Sequence, residues 1–282
     1  MRRPAFFDAA ASICVAVALL LLAPAAAATP TWKIATFPNP AGSTSVDFEG
    51  VDCPSAKSCF AVGFSQAGKT NKTLVERWNG SKWSVMATPN PAGATNSYLQ
   101  AVSCASATNC IAVGYSSQGN KLSSLAEQWN GTKWSVMVTP SPVSWTNPAL
   151  ESVSCASPTS CMAVGHGRAL TGESIVEHWD GIAWSVLPIA KQMGWTEISF
   201  YGVACPSVTS CFAVGFYQDV AFAALRTLVQ HWDGAAWSIQ TSPSPTGAVP
   251  ANLARVSCPS ATSCFAVGSY SPPKGGGFKT LV

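Results

Sequence analysis

The cysteines are the residues of this 282-residue chain best placed to do chemistry. Ten of the eleven fall into five Cys-x5-Cys pairs: Cys53/Cys59, Cys104/Cys110, Cys155/Cys161, Cys205/Cys211 and Cys258/Cys264. Each pair is followed by one apolar residue and then Ala-Val-Gly, as in Cys110-Ile111-Ala112-Val113-Gly114. Two thiols at this spacing can either hold a metal or oxidise to a disulfide. Zinc sites favour shorter Cys-x2-4-Cys spacings and a paired histidine motif, and neither occurs here. Five residues between partners suit a strand–turn–strand, which brings two Cβ atoms face to face. We therefore expect five disulfides, each closing a short loop worth about 2 kcal/mol.

Other side chains could carry a site. Glu49 and Glu151 share a place four residues before the first cysteine of their pairs, on the strand expected to lie innermost. With Glu197 and Asp219 in variable connections, they form the acid–base set available to a glycan-acting hydrolase. Glu76, Glu127 and Glu177, with Gln230 in the fourth copy, recur too regularly for an active site and suit a buried hydrogen-bonding role. His178 and His231 also match in position, whereas His166 stands alone and reads as a solvated side chain. Trp145 and Trp195 each lie ten residues before a cysteine pair, where the other copies have Ser43, Ala94 and Ala248. Two indoles from adjacent repeats can stack on a sugar or an apolar partner, so they are the candidate ligand-binding residues. They can equally pad the connection between repeats. No metal or cofactor is expected.

The N-terminus bears on compartment. Arg2 and Arg3 precede an apolar run from Ala11 to Leu22, and small residues end at Ala28. This is the order of a secretory signal peptide, residues 1–28, and the run is short of the roughly 20 residues a spanning anchor needs. Cys14 leaves with the leader, and the remaining even count of cysteines fits an oxidising compartment. Removing Arg2, Arg3 and Asp8 lowers the formal net charge from +3 to about +2. Nothing in that balance suggests a nucleic-acid groove or a polybasic membrane patch. The mature chain is expected to be secreted or surface-associated, monomeric, and not bound to membrane.

The elements that position these residues follow from the repeat. The first cysteines step by 51, 51, 50 and 53 residues, and Trp32, Trp83, Trp134, Trp184 and Trp237 keep the same rhythm. One repeat reads as four short strands: 99–104, 110–114, 124–129 and 134–138. The last two are joined by Trp-Asn-Gly-x-x-Trp or Trp-Asp-Gly-x-x-Trp, a strong hairpin signal because Asn-Gly and Asp-Gly accept positive φ. Prolines such as Pro140 and Pro142 then end the unit, since they cannot donate to a ladder.

Five units of about 50 residues, each a four-stranded antiparallel sheet, predict an all-β five-bladed β-propeller over residues 29–282. A β-solenoid is the rival. The mature chain starts on a spare fourth strand, Trp32 to Pro40, and stops within a third, Thr280 to Val282. Pairing the two would close the ring, though a piece of a longer protein fits the same ends. Propeller topology places the stretches 64–72, 115–123, 166–173, 216–226 and 269–279 as variable loops on the face of the inter-blade connections, where binding tends to sit.

Val75-Glu-Arg-Trp78-Asn-Gly-Ser-Lys-Trp83 with Thr88-Pro-Asn-Pro91 resembles the third and fourth strands of kelch repeats, as in propellers of the galactose-oxidase type. Ile111 to Gly114 is similar to the kelch second strand with its glycine end. The resemblance spans 32–282 and implies a propeller, although the kelch double glycine is absent and kelch repeats do not require the cysteine pair. The Gly-x-x-Trp turn is also similar to the Asp-box hairpin of sialidases, except that Asn79 abuts Gly80. Neither resemblance supplies a catalytic residue, because no copper-ligand or sialidase constellation matches. The chain reads as a non-catalytic binding module for extracellular glycan or protein. The alternatives are the hydrolase using Glu49 and Glu151, or a cell-surface spacer.

Overall fold

A computed structural model of the protein describes residues 32–140, 146–168, 174–220, 224–245, 247, 250–273 and 277–282. The predicted leader and Trp145 lie outside them. The chain divides into two units, Met1–Ala35 and Thr36–Val282. In the first, Trp32 and Ile34 are fully exposed and carry no strand. The second holds every described strand.

Blade 1 comprises β1 (Ser45–Ser55), β2 (Ser58–Ala67), β3 (Thr70–Trp78) and β4 (Trp83–Met86). Blade 2 follows with β5 (Asn96–Ser106), β6 (Asn109–Gln118), β7 (Lys121–Trp129) and β8 (Trp134–Met137). Blade 3 contains β9 (Thr146–Ser157), β10 (Ser160–Arg168), β11 (Ser174–Trp179) and β12 (Trp184–Val186). Blade 4 contains β13 (Trp195–Ser207), β14 (Ser210–Asp219), β15 (Ala224–Trp232) and β16 (Trp237–Gln240). Blade 5 has three strands, β17 (Ala251–Ser260), β18 (Ser263–Tyr270) and β19 (Lys279–Leu281). Every sheet is antiparallel and bonded in chain order. The first strands of successive blades pack on one another from blade 1 to blade 5, which makes them the inner strands. This is the blade arrangement of a β-propeller.

The first hairpin of each blade is cross-linked. The disulfides are Cys53–Cys59, Cys104–Cys110, Cys155–Cys161, Cys205–Cys211 and Cys258–Cys264, with Cα–Cα distances of 3.9–4.1 Å. The second sulfur of each pair also approaches the carbonyl oxygen of the serine four residues before it. Cys59 Sγ lies 4.0 Å from Ser55 O, Cys110 Sγ 3.6 Å from Ser106 O, and Cys161 Sγ 3.7 Å from Ser157 O. Cys211 Sγ lies 4.0 Å from Ser207 O, and Cys264 Sγ 3.9 Å from Ser260 O. A bridged sulfur has no proton to donate, so these approaches are packing inside the turn and not thiol hydrogen bonds. Cys59, Cys110, Cys161 and Cys211 are buried, whereas Cys264 of blade 5 is exposed.

The second hairpin also forms as its residues dictate. Asn79 Oδ1 accepts from the N–H groups of Ser81 and Lys82, both at 3.0 Å, and Gly80 takes φ 94°. Asp180 and Asp233 do the same, and those bonds hold their carboxyls below the usual range. Six of the paired tryptophans are core: Trp129, Trp134, Trp179, Trp184, Trp232 and Trp237 are buried, whereas Trp78 and Trp83 of blade 1 are half-buried. Trp129 Nε1 also donates to Ala107 O in the cysteine turn, at 3.2 Å.

Blades join through one repeated seam. Because strand side chains alternate, Phe60 and Val62 of β2 face blade 2 and pack on Leu99, Val102, Ala112, Leu125, Trp129 and Trp134. Ile111 and Val113 meet blade 3, and Met162 and Val164 meet blade 4, in the same way. A polar stitch runs beside this packing. Asp52 Oδ2 accepts from Cys104 N at 2.6 Å, Ser103 Oγ from Cys155 N at 3.0 Å, and Ser154 Oγ from Cys205 N at 2.9 Å.

The two end faces lack this cover. Val51 is 64% exposed, whereas the equivalent Val102, Val153 and Val203 are 6–7% exposed. Val267 is 44% exposed, whereas Val62, Val113 and Val164 are wholly buried. Ring closure by the N-terminal strand is likewise not formed in this structure. Residues 32–40 carry no strand, and β19 bonds to β18. Phe37 lies instead on Phe48 and Trp83 of blade 1, with centroids 5.0 and 4.8 Å apart.

A second expectation is corrected in blades 1 and 2. The stretches 64–72 and 115–123 are not loops. The strands β2 and β3 continue to a tight turn at Gly68, and β6 and β7 to one at Gly119, where φ is 64° and 60°.

Candidate functional site

The site is built on an irregularity common to all five blades. The inner strand skips one residue in its pairing with the second strand, leaving Glu49, Gln100, Glu151, Tyr201 and Ala254 as bulges. Opposite each bulge stands the glycine of Ala-Val-Gly. A Cβ on Gly63, Gly114, Gly165, Gly215 or Gly268 would lie 1.8–2.0 Å from a carbonyl oxygen of the inner strand. Only glycine lets the two backbones approach so closely, and the bulge re-aims the extra side chain.

The residue after each glycine is Phe64, Tyr115, His166, Phe216 or Ser269. In blades 1 to 4 it shares the parity of the seam residues and so points toward the next blade. Phe64 meets Tyr98 of blade 2 edge-on at 5.0 Å, and Tyr98 stacks on Tyr115 at 4.8 Å. Asn71 Nδ2 donates to the Tyr98 hydroxyl at 2.7 Å, and Asn96 Oδ1 accepts from Asn71 N at 2.9 Å. In blade 3, His166 Nδ1 lies 3.4 Å from Glu151 Oε1, and its ring meets Tyr201 of blade 4 at 6.3 Å. Tyr201 meets Phe216 at 5.8 Å. The inner strands β5 and β9 pack on one another, so the blade 2 rings and the Glu151 bulge of blade 3 lie on adjoining strands. The result is one aromatic and acidic arc across four blades.

Carboxylates and one guanidinium neighbour its tyrosines. Burial first, and then the nearby Tyr98, Glu151 and Glu49, raise the Tyr115 hydroxyl above the usual tyrosine range. Burial, Glu151 and Glu197 do the same to Tyr201. Arg255 Nη1 donates to the backbone oxygens of Tyr201 and Ala254 at 3.1 and 2.9 Å. Most of the arc is partly exposed, Glu151 being 19% exposed, while Phe216 is buried.

The residues anticipated from sequence land unevenly. Glu49 and Glu151 do sit on inner strands, at equivalent bulges. His166 is not a free solvated side chain: the bulge brings Glu151 beside it. Trp195 stacks on Tyr217 at 4.0 Å and 20°, and packs against the seam of blades 3 and 4. Trp145 falls outside the described residues. His178 and His231 contact Ser160 and Ser210 of their own blades, at 3.3 and 3.0 Å. The tyrosines and phenylalanines of the arc were missed as a group. The signal was the residue after Ala-Val-Gly, aromatic or His in four copies of five.

The recurrent glutamates form a separate set. Glu76, Glu127 and Glu177 are wholly buried, and among the described residues only Glu127 has a side chain, Thr73, near enough to favour its ionised form. Burial pushes them up to about 7, about 8 and about 8. In blade 4 Gln230 takes this place, accepting from Ala190 N at 3.1 Å and donating to Ala190 O at 2.8 Å. The residues equivalent to Ala190 that precede Glu127 and Glu177 are Pro89 and Pro140, which have no N–H to offer.

No family model matches the chain, so the kelch resemblance stays at the level of its hairpin residues, and no curated protein matches the sequence. Among solved structures the chain is similar to the fungal lectin of Aleuria aurantia, a six-bladed β-propeller described for its fucose recognition. That match has a TM-score of 0.47 and 13% identity over 83% of this chain and 77% of that one. It is also similar to the SapL1 lectin in complex with alpha methyl fucoside (0.45, 14%, 79% and 76%). The native Bacillus subtilis arabinanase Arb43A gives 0.39 and 8%, over 82% and 91%. At such scores and identities these similarities carry no functional argument, and the blades rest on the sheets themselves.

Proposed function

We propose that the protein is a secreted, disulfide-stapled β-propeller that binds extracellular glycan through the aromatic arc, without catalysis. The arc running Phe64–Tyr98–Tyr115, then Glu151–His166–Tyr201–Phe216, carries this reading. Aromatic faces cover the apolar faces of sugars, while Asn71, Asn96, Gln100 and the carboxylates offer the polar partners that fix orientation. Trp195, stacked on Tyr217, is the second candidate contact for a sugar ring. Five disulfides fit an extracellular setting, and residues 1–28 would direct the chain there.

The test is an array of glycans and cell-wall polysaccharides probed with the mature, oxidised protein. Selective binding is expected, falling about tenfold or more in Tyr98→Ala plus Tyr201→Ala. A blank array, or binding that this pair leaves intact, removes the arc from glycan recognition. A second reading rests on Glu49 and Glu151, which occupy equivalent bulges on the inner strands of blades 1 and 3. Sugar release abolished by Glu151→Gln would establish the hydrolase instead.

A further inference from the structure

We infer that the arc is built for a glycan carrying free amino groups, such as a de-N-acetylated hexosamine polymer, with Glu151 as its main anchor. This rests on the glycan-binding reading and narrows it.

Three positions per blade make the arc: the bulge, the residue two before it, and the residue after the glycine. Across five blades these fifteen positions include Asp47, Glu49 and Glu151. Three are carboxylates, and none is Lys or Arg, in a chain whose formal net charge is +3. Glu197 adds its field at Tyr201. Among the described residues the neighbour of Glu151 is the His166 imidazole at 3.4 Å, an ion pair only when that ring is protonated, and not an ammonium or guanidinium. One guanidinium does reach the arc: Arg255 donates to the backbone oxygens of Tyr201 in blade 4 and Ala254 in blade 5, and to no carboxylate among the described residues.

A neutral sugar would use the aromatic faces and leave this field unanswered. A protonated amine answers it twice, by ion pairing with Glu151 or Glu49 and by lying over the Tyr115 or Tyr201 ring. Lysines sit at the hairpin tips beyond, at Lys69 and Lys121. They would repel a polyamine that strayed outward and confine it to the inner strands.

The test compares hexamers of glucosamine, N-acetylglucosamine and a neutral glucan by calorimetry, in 50 mM and 500 mM NaCl as working conditions of about these strengths. The free-amine hexamer is expected to bind about tenfold or more tightly than the other two, with the advantage shrinking at the higher salt. Glu151→Gln, and separately the exposed Glu49→Gln, should reduce that advantage while circular dichroism and disulfide content stay unchanged. Equal binding of the acetylated or neutral hexamer, or an advantage that survives both substitutions, overturns the amine inference and leaves the glycan reading standing. No binding by any of the three, together with a blank polysaccharide array, overturns both.

Discussion

At the scale of single residues, the buried glutamates make the protein sensitive to base. Their carboxyls titrate near 4.5 when unfolded and at about 8 in the folded chain for Glu127 and Glu177. Folding therefore favours the protonated form. Stability is fully present below the unfolded value and is lost as pH rises through the folded one, at up to about 1.4 kcal/mol per pH unit for each carboxyl. Urea unfolding midpoints should fall steadily from pH 5 to pH 9, and Glu177→Gln should flatten part of that slope. A midpoint that rises or holds over this range would mean the carboxyls are ionised and satisfied. The glycine facing each bulge is equally exacting. Gly165→Ala should cost about 3 kcal/mol, because its Cβ would meet backbone rather than a side chain that can move.

At the scale of elements, the hairpins were legible and their lengths were not. Cys-x5-Cys and Trp-Asn-Gly-x-x-Trp each encode a turn locally, so both hairpins could be placed from residue type alone. The extension of β2 and β3 past Gly63 could not, because Phe64–Lys72 has no apolar alternation to mark it. Its pairing is held by the tight turn at Gly68 and by Asn71 bonding across the seam to blade 2. The arc was hidden for a similar reason. A bulge is a feature of pairing between strands, and the Ala-Val-Gly that permits it reads in sequence only as a strand ending in glycine. Replacing Cys104 and Cys110 together by Ser removes one cross-link from an otherwise intact hairpin. Denaturation should show a loss of about 2 kcal/mol with an unchanged fold; collapse of the whole sheet would mean that the bridge also directs folding.

For the whole molecule, the repeat predicted five blades, and five sheets are found. The closing strand pair is not among them, since residues 32–40 carry no strand. The end faces offer a direct comparison. Met162 lies inside the seam of blades 3 and 4, and Phe265 holds the equivalent place on the open face of blade 5, where it is 64% exposed. Met162→Ala should cost about 3 kcal/mol and Phe265→Ala less than about 1 kcal/mol. Equal losses on thermal unfolding would show that the blade 5 face is covered in solution.

The repeated seam has a consequence for the history of such a chain. Phe60 and Val62, Ile111 and Val113, and Met162 and Val164 make interchangeable contacts, and the stitch from Asp52, Ser103 or Ser154 reaches the same amide each time. A gene duplication or deletion of one 50- or 51-residue unit would splice like onto like. Unequal recombination can therefore change the copy number of blades while every surviving neighbour still finds the surface it was selected to meet.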